Sequence, residues 1–132
     1  MISSLDHLNL SIPNFHATVL WYKQVLGFEE VEGGIQDGQP WTILRAGDAL
    51  LCLYEAQESR EKGAMNHIGL RITDRAALEA SLAEHQVSVD YGGAYEHPHS
   101  TAFYVSDPAG NTLELAVWDH DQIQFPGSGV KA

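Results

Sequence analysis

The 132-residue sequence has one cysteine, few basic residues and no long apolar run. The lone thiol, Cys52, rules out an intramolecular disulfide and fits a reducing compartment, so a cytoplasmic protein is expected. Only 7 lysines and arginines stand against 18 acidic residues, for a formal net charge of −11. Nucleic acid binding needs clustered basic side chains, so no nucleic-acid partner is expected. The acidity serves solubility or draws in a cationic ligand. No stretch nears the roughly 18 apolar residues of a membrane span, and MISSLDHLNLSIP lacks the basic start and apolar run of a signal peptide. No membrane partner is expected. With 44% hydrophobic residues the chain can bury a core.

The sequence repeats itself once. Asp6-His7-Leu8-Asn9-Leu10-Ser11-Ile12 and Asn66-His67-Ile68-Gly69-Leu70-Arg71-Ile72 each open on an Asx-His pair and then alternate apolar and other positions. Alternation of this length predicts a strand buried on one face. Helical periodicity follows each, over 15–26 and 75–85, with Asn14 and Asp74 as expected N-caps and Gly27 as the expected stop. A short strand and a glycine pair come next in each half, Gly33-Gly34 and Gly92-Gly93. Two further strands close each half, at 42–46 and 49–54 and at 102–106 and 112–118.

Each half thus reads β-α-β-β-β, and the expected class is α+β: two tandem βαβββ modules forming a curved mixed sheet with a metal-binding cleft. The expected boundaries are 1–56 for the first module, 57–65 for a linker, 66–118 for the second module and 119–132 for a C-terminal tail, the modules together making one domain.

Strand parity sorts the side chains. Leu8, Leu10, Ile12, Ile68, Leu70, Ile72, Leu113 and Leu115 fall on the helix side. His7, Asn9, Cys52, Tyr54, His67, Tyr104, Glu114 and Trp118 fall on the other. Two imidazoles and a carboxylate on one face make a candidate metal site, and three protein ligands leave positions open for water or substrate. His7, His67 and Glu114 are the expected ligands of one divalent ion: Fe, Mn, Zn, Ni or Co.

The stretches LDHLNLSI, WYKQVLGF, NHIGLRI and FYVSDPAGNTLELAV resemble the vicinal-oxygen-chelate superfamily of glyoxalases, bleomycin-binding proteins and extradiol dioxygenases, over about residues 5–118. The resemblance implies the same metal set and a metal that binds neighbouring substrate oxygens and stabilises an oxyanion. It also implies a homodimer. Where glyoxalase I carries a fourth ligand, this chain has Cys52, which could ligate as a thiolate or lie inert between leucines. Where the fosfomycin-resistance enzymes carry Thr two residues past the first His, it has Asn9, and the loop 95–100 has no Lys or Arg for a phosphonate.

The expected function is therefore a metal-dependent lyase, isomerase or thiol transferase acting on a small oxygenated molecule. Tyr104 and Glu114 are the expected catalytic residues, and Asn9, Cys52, Tyr54, His97, His99 and Trp118 the expected substrate contacts. Two alternatives stand beside it. One is an Fe(II) ring-cleaving dioxygenase, with His97 or His99 and Tyr104 handling protons. The other is a drug-sequestering binding protein.

Overall fold

The computed structural model describes residues 1, 2, 4–56 and 65–123; most of the expected linker and the end of the tail lie outside them. The element order is β1 (Leu8–Ile12), α1 (Phe15–Leu26), β2 (Glu29–Gln36), β3 (Gln39–Ala46), β4 (Ala49–Glu55), β5 (Ile68–Arg71), α2 (Arg75–Glu84), a 3-10 turn (Asp90–Gly92), β6 (Tyr95–Glu96), β7 (Ser100–Ser106) and β8 (Thr112–Trp118). This is the α+β tandem βαβββ arrangement. The eight strands hydrogen-bond as two sheets of four, in the orders β1-β4-β3-β2 and β5-β8-β7-β6. Each sheet is mixed: β1 runs parallel to β4 and β5 to β8, and the other pairs are antiparallel.

The chain divides into two compact units, 1–64 with 107–110, and 65–106 with 111–132. In the first, α1 buries Phe15, Thr18, Tyr22 and Val25, spaced three and four apart so that they share one helix face. Leu44, Leu51 and Leu53 supply the buried side of the sheet. In the second unit, Leu78 and Leu82 of α2 are buried, as are Phe103, Val105, Leu113 and Leu115 of the sheet. The strand parity read from the sequence holds: Ile12, Ile68, Leu113 and Leu115 are buried, while Asn9, Gly69 and Arg71 are exposed. No helix among the described residues is long and apolar enough to cross a membrane.

Gly27 ends α1 at φ 73°, a left-handed conformation that glycine adopts without strain. Asp74 caps α2 by accepting a hydrogen bond from the Ala77 N–H at 3.0 Å. Three expectations are corrected. Asn14 precedes α1 but makes no side-chain cap; its Nδ2 donates instead to the Pro108 carbonyl at 2.7 Å, because a longer-range acceptor lies within reach. Gly33 and Gly34 lie inside β2 and pair with Thr42 and Trp41, rather than following a strand. In the second half no strand lies between α2 and Gly92-Gly93. Residues 91–93 all have positive φ, which breaks the extended chain, and the strand β6 comes after them.

Residues 107–110 form the turn between β7 and β8 yet pack with the first unit. Asp107 is buried, and its Oδ2 accepts a 2.6 Å hydrogen bond from the hydroxyl of the fully buried Tyr22. Its Oδ1 accepts from the Ala109 N–H at 3.0 Å, an Asx-type turn that Gly110 completes at φ 89°. Burial first, then the charge and hydrogen bond of Asp107, push the Tyr22 phenol far above its ordinary pKa.

Candidate functional site

In the second unit β8 places Glu114 between two neighbours, Gly69 of β5 on one side and Tyr104 of β7 on the other. A methyl group added at Gly69 would meet nothing within 4 Å, so the glycine leaves open room beside the carboxylate. Tyr104 donates from its hydroxyl to Glu114 Oε1 at 2.5 Å. His67, just ahead of β5, holds its Nε2 3.8 Å from the same oxygen.

The histidine ring is oriented from behind. Its Nδ1 is 2.8 Å from Oδ1 of Asn66. An amide oxygen only accepts, so Nδ1 carries the hydrogen, and Nε2 of the neutral ring is left with its lone pair. The first unit repeats the device: His7 Nδ1 is 2.7 Å from Oδ2 of Asp6. Anchoring one ring nitrogen on an oxygen acceptor fixes which nitrogen a metal-binding histidine presents.

A second hydrogen bond extends the line. His97 Nε2 lies 2.8 Å from the Tyr104 hydroxyl. That hydroxyl spends its proton on Glu114, so His97 is the donor and Tyr104 oxygen the acceptor. The Tyr104 phenol is raised well above its ordinary pKa, by desolvation first, then by the hydrogen bond and charge of Glu114, with smaller contributions from Tyr91 and Tyr95. It is a protonated donor at neutral pH.

The remaining candidates divide between the units. Asn9 is exposed on β1, opposite the half-buried Cys52 of β4. Burial, then the charge of Asp6, push the Cys52 thiol up, which disfavours the thiolate. Tyr54 pairs across the strands with Trp41 and stacks on its ring at 6.3 Å and 22°. Trp41 was outside the expected contacts. Gly34 opposite it is the cue, since a Cβ there would lie 3.3 Å from the indole nitrogen. His99 is half-buried and its carbonyl accepts from the Asp119 N–H; Trp118 ends β8 opposite Ser100.

Among the described residues no group of three or more His, Cys, Asp and Glu side chains is gathered closely enough to hold a metal ion. The second unit offers two ligand-type atoms, His67 Nε2 and Glu114 Oε1, and their 3.8 Å spacing fits one ion bonded to each at about 2.1 Å. An imidazole nitrogen with a carboxylate oxygen is also the right donor chemistry for a borderline divalent ion.

Residues 4–115 match the Glyoxalase/Bleomycin resistance protein/Dioxygenase superfamily model. The chain belongs to this superfamily. Among its relatives is a catechol-2,3-dioxygenase of Bacillus subtilis (strain 168), 24% identical over 89% of this chain. The match takes in 45% of that enzyme, so the chain spans about half its length. A glyoxylase/bleomycin resistance protein/dioxygenase domain from Frankia sp. EAN1pec has the same fold, with a TM-score of 0.78, 18% identity, and coverage of 92% of this chain and 96% of that one. The fosfomycin resistance protein FosX of Listeria monocytogenes, solved with Mn(II) and sulfate, has a TM-score of 0.69 at 18% identity, covering 89% and 93%. These superfamily structures share the βαβββ modules found here, and members act on chemically different small molecules.

Proposed function

We propose that the protein is a divalent-metal-dependent enzyme acting on a small oxygenated substrate, with His7, His67 and Glu114 as ligands and Tyr104 as the residue that orients or protonates substrate. The observation that carries the reading is the approach of His67 Nε2 to Glu114 Oε1, with Asn66 turning that nitrogen outward. Asp6 gives His7 the same orientation in the repeated position, which supports it as the third ligand. A divalent ion held there would polarise a substrate oxygen and stabilise negative charge developing on it.

The chain's own groups do the rest. The Tyr104 hydroxyl oxygen lies 2.5 Å from Glu114 Oε1 and can offer its proton to a substrate oxygen that displaces this contact. His97 donates to the same hydroxyl and stabilises the phenol oxygen when its proton moves. The space beside Gly69 gives a ligand access to the carboxylate.

Elemental analysis of protein purified without chelator, followed by divalent-ion titration, tests the reading. One ion per chain is expected, with uptake falling at least tenfold in His67→Ala and Glu114→Gln. Wild-type protein that takes up no divalent ion would end it. The His97–Tyr104 hydrogen bond favours a second reading, a ring-cleaving dioxygenase, since proton handling beside a carboxylate ligand suits catechol chemistry. The similarity to the catechol-2,3-dioxygenase adds support. Oxygen uptake with catechols after anaerobic Fe(II) loading is the expected result, and none across a catechol panel would remove this reading alone.

A further inference from the structure

The duplication supplies an internal comparison. In the first unit Ser11 of β1 pairs with Tyr54 of β4, which pairs with Trp41 of β3. In the second unit the same row reads Arg71 of β5, Ala116 of β8 and Ala102 of β7. Strand parity puts this row on the Glu114 face, two residues and about 7 Å from the row of Gly69, Glu114 and Tyr104. The first unit fills its row with the stacked rings of Trp41 and Tyr54. The second has only two methyl groups there, yet Ala102 is 0% exposed and Ala116 4%. A methyl group cannot cover itself, so other atoms lie over them.

The chain beyond β8 is placed to supply that cover. The Asp119 N–H donates to the His99 carbonyl at 3.0 Å, which keeps residue 119 in line with β8. Two residues on, the Asp121 carbonyl accepts from Arg71 Nη1 at 2.7 Å. A straight strand would carry Asp121 about 17 Å past Ala116, out of reach of the arginine paired with Ala116. The segment therefore bends back, and it bends toward the face that Arg71 and Ala116 share. The tie is a light one. Asp119, His120 and Asp121 are exposed. A guanidinium is built to grip a carboxylate with two parallel bonds, and here it holds one neutral carbonyl. We propose that residues 119–121 are a strap over Ala102 and Ala116, latched by Arg71, that opens to admit substrate beside Glu114. The strap rests on reading the Glu114 face as the substrate site. A segment with one exposed tie opens at little cost, and a cover of this kind excludes water while it is shut.

The test reads the two methyl groups directly, by nuclear magnetic resonance of protein labelled with carbon-13 at its alanine methyls, with a neutral nitroxide in solution. In the parent, Ala102 and Ala116 are expected to broaden far less than the exposed Ala83. Arg71→Met keeps the aliphatic stem and removes the donors, and it is expected to raise the broadening of both at least threefold. A chain ending at Trp118 should show at least the same rise, and adding Arg71→Met to it should change neither methyl further. Unchanged methyls in Arg71→Met would overturn the latch. Protected methyls in the shortened chain would overturn the strap, and a further rise in the combination would show that Arg71 acts other than through the segment. Should the shortened chain fail to fold, Arg71→Met decides alone. Access is read by loading parent and Arg71→Met with Co(II) and timing its release to excess EDTA. Release is expected to be at least threefold faster in the variant, with equilibrium affinity within twofold, because a gate changes entry and exit together; equal rates would overturn the gating role. A parent that takes up no Co(II) would end the metal reading instead, and the methyl groups would still decide the strap.

Discussion

Thr18 is fully buried on α1, and its hydroxyl has no hydrogen-bond partner among the described residues. An unpaired buried hydroxyl is costly, and valine has nearly the same shape without it. Thr18→Val is expected to raise stability by about 1 kcal/mol in urea unfolding; a loss would mean that the hydroxyl is satisfied. Gly69 yields a prediction of the opposite kind. Its Cβ position is open and β5 tolerates a branched side chain, so Gly69→Val should fold as well as the parent. The new side chain would crowd Glu114 and reduce divalent-ion uptake roughly tenfold, as outer-shell changes around metal sites do. Unchanged uptake would show that the space beside Glu114 is not used.

Among elements, the two helices separate what sequence reveals from what it hides. Asp74 reads as a cap and is one, because capping is decided within four residues: Asp74→Ala should cost about 1 kcal/mol. Asn14 reads the same way and is not a cap, because its partner, Pro108, lies 94 residues away. Strand parity was legible for the same local reason, since alternation is a property of the extended chain. The placement of His67, Tyr104 and Glu114 followed from it, and β8 at Thr112–Trp118 and α1 at Phe15–Leu26 have the expected bounds. The 3-10 turn and the two-residue strand β6 were not legible. A glycine pair signals an unusual backbone without saying on which side of it the strand forms, and the left-handed Tyr91 has no composition cue of its own. Nor do the orienting roles of Asp6 and Asn66 emerge from spacing, since an adjacent-residue hydrogen bond depends on side-chain rotamers.

For the molecule as a whole, the phenols of the buried Tyr22 and the half-buried Tyr104 set an alkaline limit. Unfolded tyrosine loses its proton near pH 10, whereas folded Tyr22 and Tyr104 hold theirs to higher pH. Below about pH 10 neither state has ionised and stability is at its full value. As pH climbs past that value toward the folded pKa, the unfolded chain releases protons first and stability falls. Urea unfolding from pH 8 to 11 should show this decline, and Tyr22→Phe should make it shallower. The same variant should cost about 1.5–3 kcal/mol at neutral pH, the worth of a hydrogen bond to a charged acceptor. An identical alkaline slope in Tyr22→Phe would rule out that phenol as a source.

The grouping of residues 107–110 with the first unit also decides how the gene can be cut. A fragment covering only residues 1–64 would lack the aspartate that accepts the Tyr22 hydrogen bond. Such a fragment is expected to be less stable than the same residues in the whole chain. Co-expression with the other half, which returns the missing turn in trans, should rescue it. Swapping in a β7–β8 loop without the acidic residue should not.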